Sequence, residues 1–389
     1  MGTVLLDEDY ARILESLPAF PFGFLIRPNL KDAKKQKTQF FETQTPPIFS
    51  YPRAERFDVS SYLLKLQIAK KQIQALTGNP IIHSWYIKKL EELELRANLI
   101  EAIQTHDAKR LTKISTQLYG TPTCSLQSFA DELSNRQTGR QNHVHNKKID
   151  AENLKKRFEK KLQELGLTDW SVSLSRGMTI KLKHGHAKNA PRILIPKRLL
   201  VSRNRAKRLL IHEIEVHALR TDNGRKSNLT ILGRGLPFYT KTEEGLAMYM
   251  THKKLPNQKE QIPGFWDAWA VCLALNGNFA TTFETLQKAK QEQFEKTGCE
   301  HPEEKARDAA WRLCLRTYRG ITDTSQKNVA FVQGHIYRDG FLEIEAAVKK
   351  DPGVLEKLFV GNVGLGNLGE ISSLCHCEPS HAGRSNLHE

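Results

Sequence analysis

The chain has 389 residues, 39% of them hydrophobic and 26% charged, with a formal net charge of +16. No apolar run approaches the roughly eighteen residues of a membrane helix, so composition excludes a membrane-spanning protein and leaves a soluble globular one of two or three ordinary units. A basic balance attracts polyanions, whether nucleic acid, anionic membrane or acidic peptide tails. The Lys/Arg runs at 31–37 (KDAKKQK) and 154–161 (LKKRFEKK) lack the aromatic interleaving of an RNA platform. Nucleic-acid binding is therefore not indicated beyond net charge, and general solubility explains the charge equally well. The start, MGTVLLDEDYARILE, carries acids where a secretory signal carries bases, and Leu6 breaks the N-myristoylation pattern. Six cysteines without regular spacing fit reduced thiols, so a cytoplasmic location is expected.

In chain order, residues 1–133 read as an N-terminal helical region. Leu63, Leu64, Leu66, Ile68, Ile73 and Leu76 supply one apolar stripe within 62–118, and Leu90, Leu93, Leu95, Leu99 and Ile103 another. Residues 134–149 are polar and read as a linker or loop, in which His143 and His145 form an incidental H-x-H pair. A helix at 150–165 leads to strands at 171–175 and 178–183, joined through Arg176 and Gly177 as a tight hairpin, with a further strand at 192–196. A buried helix follows, ended by Asp222, Asn223 and Gly224, the glycine being free to adopt positive φ. Residues 256–360 are again mostly helical, with Trp266, Trp269, Phe279, Phe283 and Trp311 as core or groove aromatics. The tail at 361–389 lacks any period and is expected to be disordered. Its Cys375, His376, Cys377 and His381 make a poor structural zinc site, and removal of the tail at residue 360 is expected to leave folding intact.

The chemistry concentrates in HEIEVH (212–217) and TEEGLA (242–247). Zinc in a catalytic site takes three protein nitrogen or oxygen ligands and keeps a fourth position for water. His212, His217 and a glutamate of the second motif can supply the three, although spacing does not choose between Glu243 and Glu244. Glu213 can lie beside the bound water as general base, as in H-E-x-x-H peptidases. The spacing is unusual, because histidines at i and i+5 of an α-helix differ by about 140° with a rise of about 7.5 Å. A π-type insertion restores the alignment, which predicts an irregular turn between Glu213 and His217. A core helix with satisfied histidines is the alternative.

These motifs resemble the microtubule-associated tyrosine carboxypeptidase family and its bacterial QEGLA-motif relatives. Further blocks carry the resemblance across roughly residues 20–350: PIFSY (47–51), STQLYGTP (115–122), RILIPKRL (192–199), YRGITDTS (318–325) and FVQGHIYRDG (331–340). The order of elements, a short sheet, then the metal helix, then a helix bearing the third ligand, suits an α+β, mostly helical fold with a small antiparallel sheet, a distorted H-E-x-x-x-H helix and a zincin-like (gluzincin-type) core at 150–255 with flanking helical regions. The resemblance implies a zinc-dependent carboxypeptidase. It also implies Zn2+ held by His212, His217 and Glu244, with Glu213 as catalytic base assisting attack of zinc-bound water. Glu215 departs from the glycine of eukaryotic relatives and leaves the local turn geometry open. Tyr239 is a candidate oxyanion donor. Arg316 and Arg319, flanking Tyr318, are candidates for the substrate carboxylate, with Arg220, Arg234 and Lys241 behind them and His335 within reach of the site. The expected partner is a peptide or protein C-terminus, acidic by charge complementarity, with tyrosine or another aromatic as the residue released by analogy. Another zinc peptidase or amidase, or a non-catalytic polyanion-binding or regulatory protein, are the competing readings.

Overall fold

A computed structural model of the chain describes residues 6–134, 148–177, 179–183, 190–255 and 262–374. His143, His145, Met178 and the Cys375 to His381 cluster lie outside these residues. Among the described residues the protein is an α+β fold, mostly helical with two small sheets. No helix among them is long and apolar enough to cross a membrane. The chain divides into two units: 1–11, 143–257 and 340–389 form one, and 12–142 with 258–339 form the other.

In the second unit, helices Val59–Gln74, Pro80–Gln104 and Ala108–Tyr119 occupy the predicted helical stretch. Each starts where the sequence offers a cap. Asp58, Asn79 and Asp107 accept backbone N–H bonds from Ser61, Ile81 and Arg110, and Pro80 opens its helix. The buried stripe of the first helix is Val59, Tyr62, Leu66, Ala69 and Ile73; Leu64 and Ile68, assigned to it from sequence, are exposed. Phe40 is fully buried, edge-on to Phe279 and Phe283 and beside Trp311. Sequence blocks far apart in the chain meet in this unit. PIFSY pairs with YRGITDTS through Phe49 N–H to Thr322 O and the Tyr51 hydroxyl, which accepts from Gly320 N–H at 2.9 Å. STQLYGTP meets FVQGHIYRDG through the Ser115 hydroxyl, which accepts from Val332 N–H.

The first unit holds the strands. β1 (Lys148–Asp150) pairs antiparallel with β5 (Leu200–Ser202). β2 (Ser171–Ser175), β3 (Lys181–Lys183) and β4 (Arg192–Pro196) form a sheet of order β2-β4-β3, with β2 parallel and β3 antiparallel to β4. The hairpin expected at Arg176 and Gly177 is therefore wrong. The chain reverses there, but β4, the most apolar strand with Ile193 and Ile195 fully buried, takes the centre and pairs with both. Helix Ala151–Glu164 lays Leu154, Phe158 and Leu162 into one cluster with Val172, Ile193 and Ile195 of the sheet and with Ile214 and Ala218. That cluster seats the HEIEVH segment on the sheet.

Two further expectations fail in this unit. The helix does not stop at Gly224 but runs through it to Lys226, without positive φ. Gly224 is needed for a close approach instead: a Cβ there would collide with the Leu232 backbone. The tail is ordered over residues 361–374, with Asn362 and Val363 buried and a helix at Leu368–Leu374. Its order comes from backbone and side-chain hydrogen bonds, which leave no apolar period in the sequence: Asn362 alone bonds Leu232 and Leu236 backbone groups, Thr221 and Gly233.

Candidate metal centre

Ser202 caps helix Arg203–Leu209 by accepting from Arg205 N–H, and the helix runs directly into a nine-residue π-helix, Leu210–Ala218. The α-helix resumes at Leu219. The irregular turn expected from the spacing is thus a full π segment. Its i to i+5 bonding carries His217 back over His212. The imidazole centroids lie 4.7 Å apart, with ring planes at 87°. Ile211, Ile214, Val216 and Ala218 are buried and fix the segment from its other sides.

The second motif lies on helix Thr240–Lys254, which packs along the π-helix. Gly245 lies against the backbone of Gly340, and any Cβ would overlap it, which accounts for glycine within TEEGLA. Glu244 Oε2 is 3.4 Å from His212 Nε2 and 3.9 Å from His217 Nε2. The three donors all lie within 4.8 Å of one another. A tetrahedral ion with bonds of about 2.0–2.1 Å needs donors about 3.3 Å apart, so this set fits zinc after a small closure. Burial would raise the pKa of Glu244, but the hydrogen bond with His212 and the two nearby imidazoles outweigh it and hold the carboxyl below its ordinary range.

The adjacent carboxylates have separate fates. Glu213 is partly exposed, and its side chain has no hydrogen bond or ion pair among the described residues. Glu215 is bridged by Lys161 at 2.9 Å and Lys254 at 2.7 Å, so it ties the π-helix to helices on both sides of it. Glu243 faces the back of the site, where its Oε1 lies 2.5 Å from His217 Nδ1 and its Oε2 pairs with Arg220.

Tyr239 stands at the start of the Glu244 helix, with its ring against Gly235, and lies within electrostatic reach of Arg220. Of the residues expected to bind substrate, Arg316, Arg319, Tyr318 and His335 belong to the second unit, whereas the donor cluster is made by the first alone. Tyr318 is fully buried with its hydroxyl bonded to Thr282, so it is a core residue and not a substrate contact. His335 is likewise buried, with Nδ1 on Asp339 at 2.8 Å and no partner on Nε2 among the described residues. Arg316 is half exposed and paired with Asp267. Arg319 stands near the Phe331 ring, its pKa lowered by burial and by Arg27. Arg220, a reserve candidate for the substrate carboxylate, is fully buried and committed to Glu243. The sequence reading missed this pair, although Arg220 follows His217 by three positions and so lies on the neighbouring helix face.

Fold and site together define a class: an α+β protein whose buried π-helix and following helix bring two imidazoles and a carboxylate to one point. The chain belongs to the microtubule-associated tyrosine carboxypeptidase family, whose model matches residues 38–380 and so includes the ordered segment 361–374. That places it in a family of peptide-bond hydrolases. No curated protein matches the chain significantly.

Proposed function

We propose that this protein is a zinc-dependent carboxypeptidase that releases a C-terminal residue, tyrosine or another aromatic, from a peptide or protein. The observation that carries this reading is the convergence of His212 Nε2 and His217 Nε2 on the Glu244 carboxylate, achieved by a π-helix that ordinary helical packing would not select. When bound, zinc acts as a Lewis acid on a carbonyl and lowers the pKa of water. His212, His217 and Glu244 would hold it. Glu213, next to His212 and without a competing partner among the described residues, takes a proton from the attacking water and returns it to the departing amine. Tyr239 is the candidate donor to the carbonyl oxygen as it gains charge. A planar guanidinium is the group suited to read the terminal carboxylate in bidentate fashion. The net charge of +16 favours an acidic tail as substrate in the cytoplasm.

The test pairs elemental analysis with mass spectrometry of a peptide and its C-terminally amidated twin. The expected result is about one zinc per chain, trimming of the free acid alone, and loss of both zinc and trimming in His212→Ala. Glu213→Gln should keep its zinc and lose about 10²–10⁴-fold in turnover. Absence of zinc after reconstitution, together with absence of trimming, would overturn the proposal. Equal cleavage of the amidated twin would replace it with a different peptidase on the same donors.

A further inference from the structure

Behind the donor cluster lies a second set of buried polar groups that the proposed chemistry does not use. A histidine that offers Nε2 to a metal must carry its proton on Nδ1, and the group accepting that proton's hydrogen bond fixes both tautomer and ring orientation. For His217 that group is Glu243, at 2.5 Å. Glu243 is in turn held by Arg220, which is fully buried and has its other donors on the chain itself: Nε on Leu358 O at 2.8 Å and Nη2 on Val363 O at 2.7 Å. Every branch of the guanidinium is thus committed, one to the carboxylate and two to carbonyls of the segment at 358–363.

A buried ion pair of this kind is weak evidence for stability, because well-packed apolar residues commonly do as well. What apolar residues would not supply is orientation. The carbonyl-bearing segment is tied to the same frame at several points. Asn362 bonds Thr221, next to Arg220, and Leu365 N–H bonds the Thr242 hydroxyl, next to Glu243. Both sides of the Arg220–Glu243 contact are therefore braced by one stretch of chain.

We propose that Arg220 and Glu243 are positioning residues for the metal ligand His217, and that the segment at 358–363 belongs to the frame of the metal centre through its carbonyls. This rests on the metal role proposed for His217. Residues 361–363, read from sequence as the start of a dispensable tail, would then help to set how tightly the metal is held.

The test uses the full-length protein and two readouts, zinc affinity by chelator competition and the tautomer of His217 in the metal-free protein by NMR of ¹⁵N-labelled histidine. In the wild type, His217 should be the Nδ1–H tautomer. Glu243→Gln should give a mixture of tautomers, since the amide can donate as well as accept, and should weaken zinc binding about 10–100-fold. Arg220→Lys keeps the charge but loses the planar fork, and should weaken binding on the order of tenfold while the fold still melts cooperatively. Zinc binding by the wild type that is matched within about twofold by both variants would overturn this proposal and leave the metal reading standing. A wild type that takes up no zinc would overturn the metal reading, and this proposal with it.

Discussion

The surroundings of His217 and those of Phe40 are both buried, yet they are built on opposite plans. Around Phe40 the second unit stacks Phe279, Phe283 and Trp311 with ring centroids 4.8–5.9 Å away. Around His217 the first unit buries Arg220 and Glu243 and satisfies them with one another, with the imidazole and with the Leu358 and Val363 carbonyls. Apolar contacts are non-directional and add up to stability, whereas buried polar groups contribute little net energy but fix geometry. The difference separates a region that holds the protein together from one that holds a few atoms in place.

The contrast is broken most strongly at Phe40. Phe40→Ala removes a ring with no exposed surface and should cost about 3–5 kcal/mol, read by chemical denaturation. Zinc affinity per folded molecule should stay unchanged, since the donors belong to the other unit. A cost below about 1 kcal/mol would mean that the ring cluster relaxes into the space and is less close-packed than its geometry implies.

The two plans were not equally legible in sequence. Aliphatic periodicity marks the helices of the second unit, because burial of apolar groups leaves a repeating pattern, and Phe279, Phe283 and Trp311, read as core or groove aromatics, are core. HEIEVH also announced its own distortion, since two histidines five apart meet only on a widened helix. The order β2-β4-β3 was not legible, because two short strands joined by Arg-Gly read as a hairpin whichever strand lies between them. The pairing of Arg220 with Glu243 was missed, and residues 361–374 misread, for one reason. Their order comes from single hydrogen bonds to backbone groups distant in the chain, such as those of Arg220 to Leu358 O and Val363 O, and such bonds have no period.

Lys290 offers a sharper test, as a charged group placed within the aromatic region. Its Nζ sits 3.4 Å above the Trp266 ring centroid and also bonds Gln293. The ring favours the ammonium, but burial dominates; Asp267 opposes the shift and Arg312 and Arg316 add to it, leaving the pKa at about 7 against an ordinary 10.5. Between pH 7 and 10.5 the unfolded chain therefore binds a proton that the folded protein lacks, so this group makes stability rise with pH across that window. Lys290→Met keeps the stem and removes the charge. It should be more stable than wild type at neutral pH by about 2 kcal/mol, with the gap closing toward pH 10. A gap that is flat with pH would show that the cation over Trp266 outweighs its burial.

The smallest effect should come from Glu215, and it divides the polar region itself. Glu215 and Glu243 are both carboxylates pinned by cations, but Glu215 meets Lys161 and Lys254, whose side chains are 28% and 27% exposed, whereas Arg220 has no exposure at all. Solvent screens the lysine pairs, and long flexible side chains can find other partners. Among the described residues Glu215 makes no hydrogen bond or ion pair with either imidazole, so its loss leaves the His217–Glu243 contact in place. Glu215→Gln should therefore cost about 1 kcal/mol of stability and leave zinc affinity within about twofold. A loss of affinity as large as that of Glu243→Gln would mean that the lysine clamps hold the π-helix in register, so that the frame of the site extends to both faces of the helix and not only to the side closed by Arg220.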